Sequence, residues 1–263
     1  MANMNLNVQG PKVYFSFDLF GLTIDVTQTA VTLLAVTVIL ILLAFFIGRG
    51  LKKRPGGFQV IVEKLVTMLY NLVEDTMGKH NLKFAPYIGT LFLSSIIGTL
   101  LGMTQIFRSA TADLSVTLAW AIVTSVMVWY SNIKNFGVKT WLKGFTEPIV
   151  VMTPMNIVSE IAQPVSMAFR HFGNVAGGSV LTSLVYAALA VLSNLLFGWL
   201  PGLIGEIPFM QAGIPAFLSI YFDLFSGFVQ ALVFSLLTMV YVGSANPPPE
   251  ELPEKKKKGK EKA

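Results

Sequence analysis

Residues 164–179 read Pro164-Val-Ser-Met-Ala-Phe-Arg170-His-Phe-Gly-Asn174-Val-Ala-Gly-Gly-Ser179, which places an arginine and an asparagine four residues apart inside an apolar segment running from Pro154 to Leu195. An ionisable side chain in a stretch greasy enough to lie in lipid is costly and marks a functional position. As one helix the segment is about 63 Å long, twice the hydrocarbon thickness of a bilayer. Such a helix must be bent, split or tilted. Tilting is expected, because Pro164 and Gly177-Gly178 soften a helix without ending it. Arg170 lies about 24 Å along from Pro154, which puts its guanidinium near mid-membrane in a steeply tilted helix.

Composition agrees that lipid is the solvent. Of 263 residues, 54% are hydrophobic and 13% charged, where soluble domains carry roughly a quarter charged residues. The chain has no cysteine, which excludes disulfides, thiolate metal sites and cysteine nucleophiles; His80 and His171 are too few for a histidine metal site. No metal and no cofactor are expected. The first 25 residues carry Lys12, Asp18 and Asp25 among scattered apolar residues, without the basic start and small-residue cleavage site of a signal peptide. The N-terminus is expected to be retained, at or outside the membrane surface.

The spans follow in order. Val26 to Ile47 is long enough to cross as a helix, and Arg49, Lys52, Lys53 and Arg54 with Pro55-Gly56-Gly57 mark a cytoplasmic end. From Phe58 to Met77 the apolar residues Phe58, Ile61, Val62, Leu65, Val66, Leu69, Leu72 and Val73 form a helical stripe, predicting a helix in the interface or packed on a partner. Tyr87–Met103 and Leu114–Tyr130 are the second and third spans, joined by a turn with Gln105, Arg108 and Asp113. Lys134, Lys139, Trp141 and Lys143 then read as cytoplasmic interface anchors. The long Pro154–Leu195 segment is the fourth. Leu200–Gln211 reads as an outer loop. Ile214–Val242 is the fifth, with Asp223, Ser226, Gly227 and Gln230 along one face.

Basic residues test this topology. Sixteen of the 19 fall in cytoplasmic segments, while only Lys12 and Arg108 lie outside and Arg170 lies within the membrane; the bias obeys the positive-inside rule. The expectation is an all-α, polytopic membrane protein of about five crossings with two long, strongly tilted C-terminal helices, N-terminus outside and C-terminus cytoplasmic. Residues 1–245 form the membrane-embedded part. Residues 246–263, with Pro247-Pro248-Pro249 and lysines from Lys255 to Lys262, form a disordered basic tail; a nucleic-acid role is not expected.

No phosphate-cradling glycine loop, paired metal-binding histidines or nucleophile elbow appears. The chain does resemble subunit a of the F-type ATP synthase. The likeness rests on Pro164-x-Ser166-x-x-x-Arg170-x-Phe172-Gly173-Asn174, on the run Thr111-Ala-Asp-Leu-Ser-Val-Thr117, and on Gln230-Ala-x-x-Phe234. These blocks spread over most of the chain, and the resemblance covers roughly residues 20 to 245. It implies a non-catalytic stator subunit of a bacterial cell membrane, facing a c-ring whose subunits each carry a buried carboxylate, and held by subunit b or a b-type peripheral stalk. Two offset half-channels would carry ions, proton being the expected one, to and from that ring. Arg170 carries over as the arginine between them, Asn174 and Gln230 as its polar neighbours, and Asp113 as an acid of the outer half-channel. Ser179 and Asp223 stand where some bacterial members have a glutamate and a histidine.

The residue chemistry supports that role independently. A guanidinium stays protonated at any working pH, so it attracts a carboxylate without relaying a proton. Gly173 and Gly177, four apart, permit close approach of another helix, either a rotor or an ordinary packing partner. Glu160 lies towards the cytoplasmic end of the long helix, lining the inner half-channel or sitting in the interface. Asp223 is deeper, where a structural role would demand a bonded partner. His171 points about 100° away from Arg170, favouring packing or lipid contact over proton relay. The rival reading is a secondary transporter of a small ion or solute, which also buries charges in tilted helices; such proteins show two similar halves, and no internal repeat is found.

Overall fold

The computed structural model describes residues 12–19, 21–104, 107–197 and 220–251. The expected outer loop, residues 214–219 of the last apolar run and the lysine-rich end lie outside these.

Helix α1, Gln28–Arg49, is apolar almost throughout. It stops where the Gly50 N–H donates to the carbonyls of Phe46 and Ile47. Arg49 folds its guanidinium over the Phe45 ring at 4.4 Å, a cation at the negative end of the helix. Helix α2, Gly57–Met77, ends at Gly78, whose φ of +81° suits glycine. Its first half is exposed, and the stripe reaches the interior only near its end, at Leu69, Leu72, Val73 and Met77. Helix α3 is Ala85–Met103.

Helix α4, Leu114–Phe136, runs six residues past the expected end of its span. Ser131 and Asn135 in that extension are buried, so the last turns are held by packing. Helix α5 is Val138–Gly144. Helix α6, Thr153–Phe197, is a single helix of 45 residues that contains Pro164. Of the readings open for this segment, a split helix is excluded. Helix α7, Ser226–Ser244, follows a wide π turn at Ile220–Phe225. Among the described residues five helical segments are long and apolar enough to cross a membrane, containing α1, α3, α4, α6 and α7. The chain is an all-α polytopic membrane protein, as its sequence implies.

One local departure from that reading stands at the N-terminus. Strands β1, Val13–Leu19, and β2, Leu22–Thr27, pair antiparallel, and β2 passes directly into α1. The signal was present as period-two alternation on both sides of Gly21.

Contacts group the chain into two compact units. In the unit of Thr37–Ser94, Leu114–Arg170 and Ala231–Ala263, one apolar cluster joins Val73, Met77, Ile88, Val128, Met239 and Val242. Another joins Leu91, Ala121, Met167, Ala168 and Phe234. Beside the first lies an amide knot. Asn81 Nδ2 donates to the carbonyls of Met77 and Asn246, and Asn135 Nδ2 to Ala245 O and Asn246 Oδ1. Asn246 is 8% exposed, so the packed chain reaches into the segment read as tail.

The unit of Met1–Val36, Ser95–Asp113 and His171–Gln230 has a more polar interior, with Thr29, Thr32, Thr99, Thr111, His171 and Gln230 buried. Helices approach closely there. A Cβ on Gly227 would come within 2.6 Å of the Thr99 side chain, so glycine is required at that contact.

Candidate functional site

The two polar neighbours assigned to Arg170 meet each other. Asn174 Nδ2 on α6 donates to Gln230 Oε1 on α7 over 2.5 Å. Gln230 is 3% exposed, and its Nε2 has no hydrogen-bond partner among the described residues. Leaving a buried donor unmade costs about 1–3 kcal/mol. The amide is thus a donor held ready for an acceptor.

Arg170 is exposed and lies on α6 four residues before Asn174, one helical turn away. Around it on the same helix Val165, Phe169, Val180, Leu181 and Leu184 are also exposed, forming an apolar stripe at helical spacing. Among the described residues no carboxylate pairs with the guanidinium. Gly173 and Gly177 share the exposed stretch, and no described atom comes within 4 Å of where their Cβ would sit. Their smallness therefore serves no packing among the described residues of this chain.

His171, next in sequence, turns the other way. It is buried, with Nε2 3.1 Å from Ser95 Oγ. This agrees with packing, and the lipid-facing alternative drops out. Asp113 sits in the turn before α4, where Thr29 Oγ1 donates to its Oδ2 over 2.6 Å. Thr29 Oγ1 also lies 2.7 Å from Thr27 Oγ1, so this acid is tied to the head of α1.

Glu160 on α6 accepts a 2.5 Å hydrogen bond from Trp129 Nε1 on α4. It lines a cavity of about 380 Å³ together with Asn132, Thr140, Trp141, Asn156 and Ser159. A charge-assisted bond of this kind fixes a carboxylate's orientation. Asp223 falls in the π turn and Ser179 within α6; their side chains lie outside the described residues.

Ser95 and Thr29 were not singled out from the sequence, and Trp129 was read, with Tyr130, only as an interface anchor at the end of the third span. Each lies 31 to 84 residues from its partner, and no spacing rule links groups on different helices.

The family model described as ATP synthase A chain matches residues 29–243. The chain belongs to this family. It is 33% identical over 240 residues to the ATP synthase subunit a of Bacillus velezensis, covering 87% of this chain and 95% of that one. The Bacillus subtilis subunit a is 31% identical, with the same coverage of 87% and 95%. A Propionigenium modestum protein named ATP synthase subunit a, sodium ion specific, is 30% identical over 265 residues, covering 89% and 84%.

The role is the family's: a multi-pass, ion-translocating stator component of an ATP synthase of the bacterial type, with no catalysis of its own. The secondary-transporter reading is set aside.

Proposed function

We propose that the exposed stripe of α6 is the face turned to the rotor, a c-ring, and that Arg170 is the charge each rotor carboxylate meets. The observation that carries this reading is an exposed guanidinium amid apolar side chains, with no carboxylate partner among the described residues. In a bilayer such a charge requires a counter-charge, and the carboxylate of a neighbouring chain supplies it.

In this reading Arg170 attracts the ionised carboxylate and bars direct ion passage between two half-channels. Asn174 and Gln230 add neutral donors that steady the carboxylate as it passes. Asp113 serves the outer half-channel, with Ser179 and Asp223 further along it. Glu160 and its cavity serve the inner one, because the excess of basic residues places that end of α6 in the cytoplasm. The N-terminus is then outside and the tail inside a bacterial cell membrane, with residues 1–245 embedded. The apolar outer surfaces of α1 and α2 suit a b-type peripheral stalk. A proton is the carried ion in this reading; one relative is named sodium ion specific, and the choice rests with the rotor's site.

Cross-linking tests it. Single cysteines at Phe169 and Gly173 should form disulfides with cysteines placed beside the carboxylate on the c subunit, whereas one at the buried Ser95 should not. Failure of both stripe positions in an active complex would turn the α6 face away from the rotor.

A further inference from the structure

We propose that the N-terminal hairpin is a lipid anchor, its apolar face seated in the membrane interface at the head of α1. The register pairs Phe15 with Val26, Phe17 with Ile24 and Leu19 with Leu22. Side chains alternate across a strand, so Phe15, Phe17 and Val26 fall on one face. Ser16 with Asp25, and Asp18 with Thr23, fall on the other. Both charges of the two strands, Asp18 and Asp25, lie on that second side. Phe15 and Phe17 confirm it by stacking, with ring centroids 6.3 Å apart.

The apolar side is uncovered. Phe15 is 58% and Phe17 44% exposed. An isolated two-stranded hairpin is at best marginally stable in water and needs a third surface for its apolar face.

Position along the chain selects lipid as the occupant. No residue separates β2 from α1, and the Gln28 N–H donates to Lys12 O over 2.9 Å, clamping the open end of the hairpin to the head of the span. The hairpin therefore remains within about 23 Å of that head, the reach of a seven-residue strand. Helix α1 below it already shows lipid an apolar surface, with Leu34, Ile41 and Phe46 exposed. In the interfacial zone the apolar face of the hairpin meets lipid, while Asp18 and Asp25 turn to water.

The experiment uses the complete ATP synthase reconstituted in vesicles with outward-facing N-termini. Single cysteines at Phe15 and Phe17, and at Ser16 and Asp25 on the opposite face, carry an environment-sensitive fluorophore. The first pair should be quenched by acyl-chain-brominated phospholipid and be several-fold less sensitive to external iodide than the second. Equal iodide quenching at all four would place the hairpin in water and overturn the proposal. Protection of the first pair from both quenchers would also overturn it, in favour of a protein partner. Because cysteine could disturb the stacked phenylalanines, a nitroxide at Thr23 leaves every apolar residue in place. It should be relaxed by a nickel-chelating lipid headgroup, and the absence of relaxation would overturn the anchor.

Discussion

Asn174 on α6 donates its side-chain amide to Gln230 on α7 over 2.5 Å, a bond between residues 56 apart in sequence. It is the only link among the described residues between two side chains that the resemblance assigns to the ion path. Removing Asn174 leaves the oxygen of the buried Gln230 unmade, at about 1–3 kcal/mol, whereas replacing both with apolar groups of similar size is nearly neutral. Asn174→Leu should therefore lower the stability of the chain more than the double substitution Asn174→Leu, Gln230→Leu. A double-mutant cycle on chemical denaturation in detergent checks this; simple additivity would mean that the bond contributes nothing.

On the proposed reading, Arg170→Ala should abolish ATP synthesis and ATP-driven pumping while permitting passive ion leak, because it removes the fixed charge proposed to hold the rotor carboxylate and to block a hopping cation. Lysine should rescue poorly, since it lacks the planar, weakly hydrated fork of a guanidinium. Ion flux under an imposed potential and ATP synthesis by the same vesicles are the two readouts. Normal coupled synthesis by Arg170→Ala would remove the arginine from the mechanism.

Trp129 gives its only N–H of the side chain to Glu160, and a hydrogen bond to a charged group contributes about 1.5–3 kcal/mol. Trp129→Phe keeps an aromatic ring and loses the donor. If the carboxylate serves the inner half-channel, pumping should slow, and the same substitution in a Glu160→Gln background should add little. Unchanged pumping in every variant would make the pair structural.

Sidedness can be read directly, because the native chain has no cysteine. Cysteines at Asn3 and Lys260 should react with impermeant thiol reagents from opposite sides of sealed vesicles. Cysteines at Asp223 and Glu160 should be reached by small soluble reagents from the outer and inner side respectively. Reaction of both termini from the same side would overturn the five-crossing topology.

Asn246→Ala should destabilise the chain, since it takes the Oδ1 acceptor from Asn135, which is itself buried, and the Nδ2 donor from Val242 O. The expected loss is about 1–3 kcal/mol. Truncation after Glu251 should leave thermal stability unchanged, because the knot lies wholly before it; an equal loss from truncation would extend the packed structure into the basic tail.

The sequence by itself determined the number of crossings and their order. Span length is a local property, set by bilayer thickness. The arginine block and Gln230 were also legible, through their resemblance to a family. The hairpin was legible in principle, since the alternation from Phe15 to Val26 is local, but scattered apolar residues before a membrane span read as irregular chain. Only the tertiary structure decided that α6 turns Arg170 outward and His171 inward, that Glu160 is held by Trp129, and that Asn135 and Asn246 close a knot. The physical reason is that lipid tails are as apolar as a helix interface. Hydrophobic periodicity, which separates inside from outside in water, loses that power in a membrane, and each partner of a buried polar group is then fixed by which helices lie side by side.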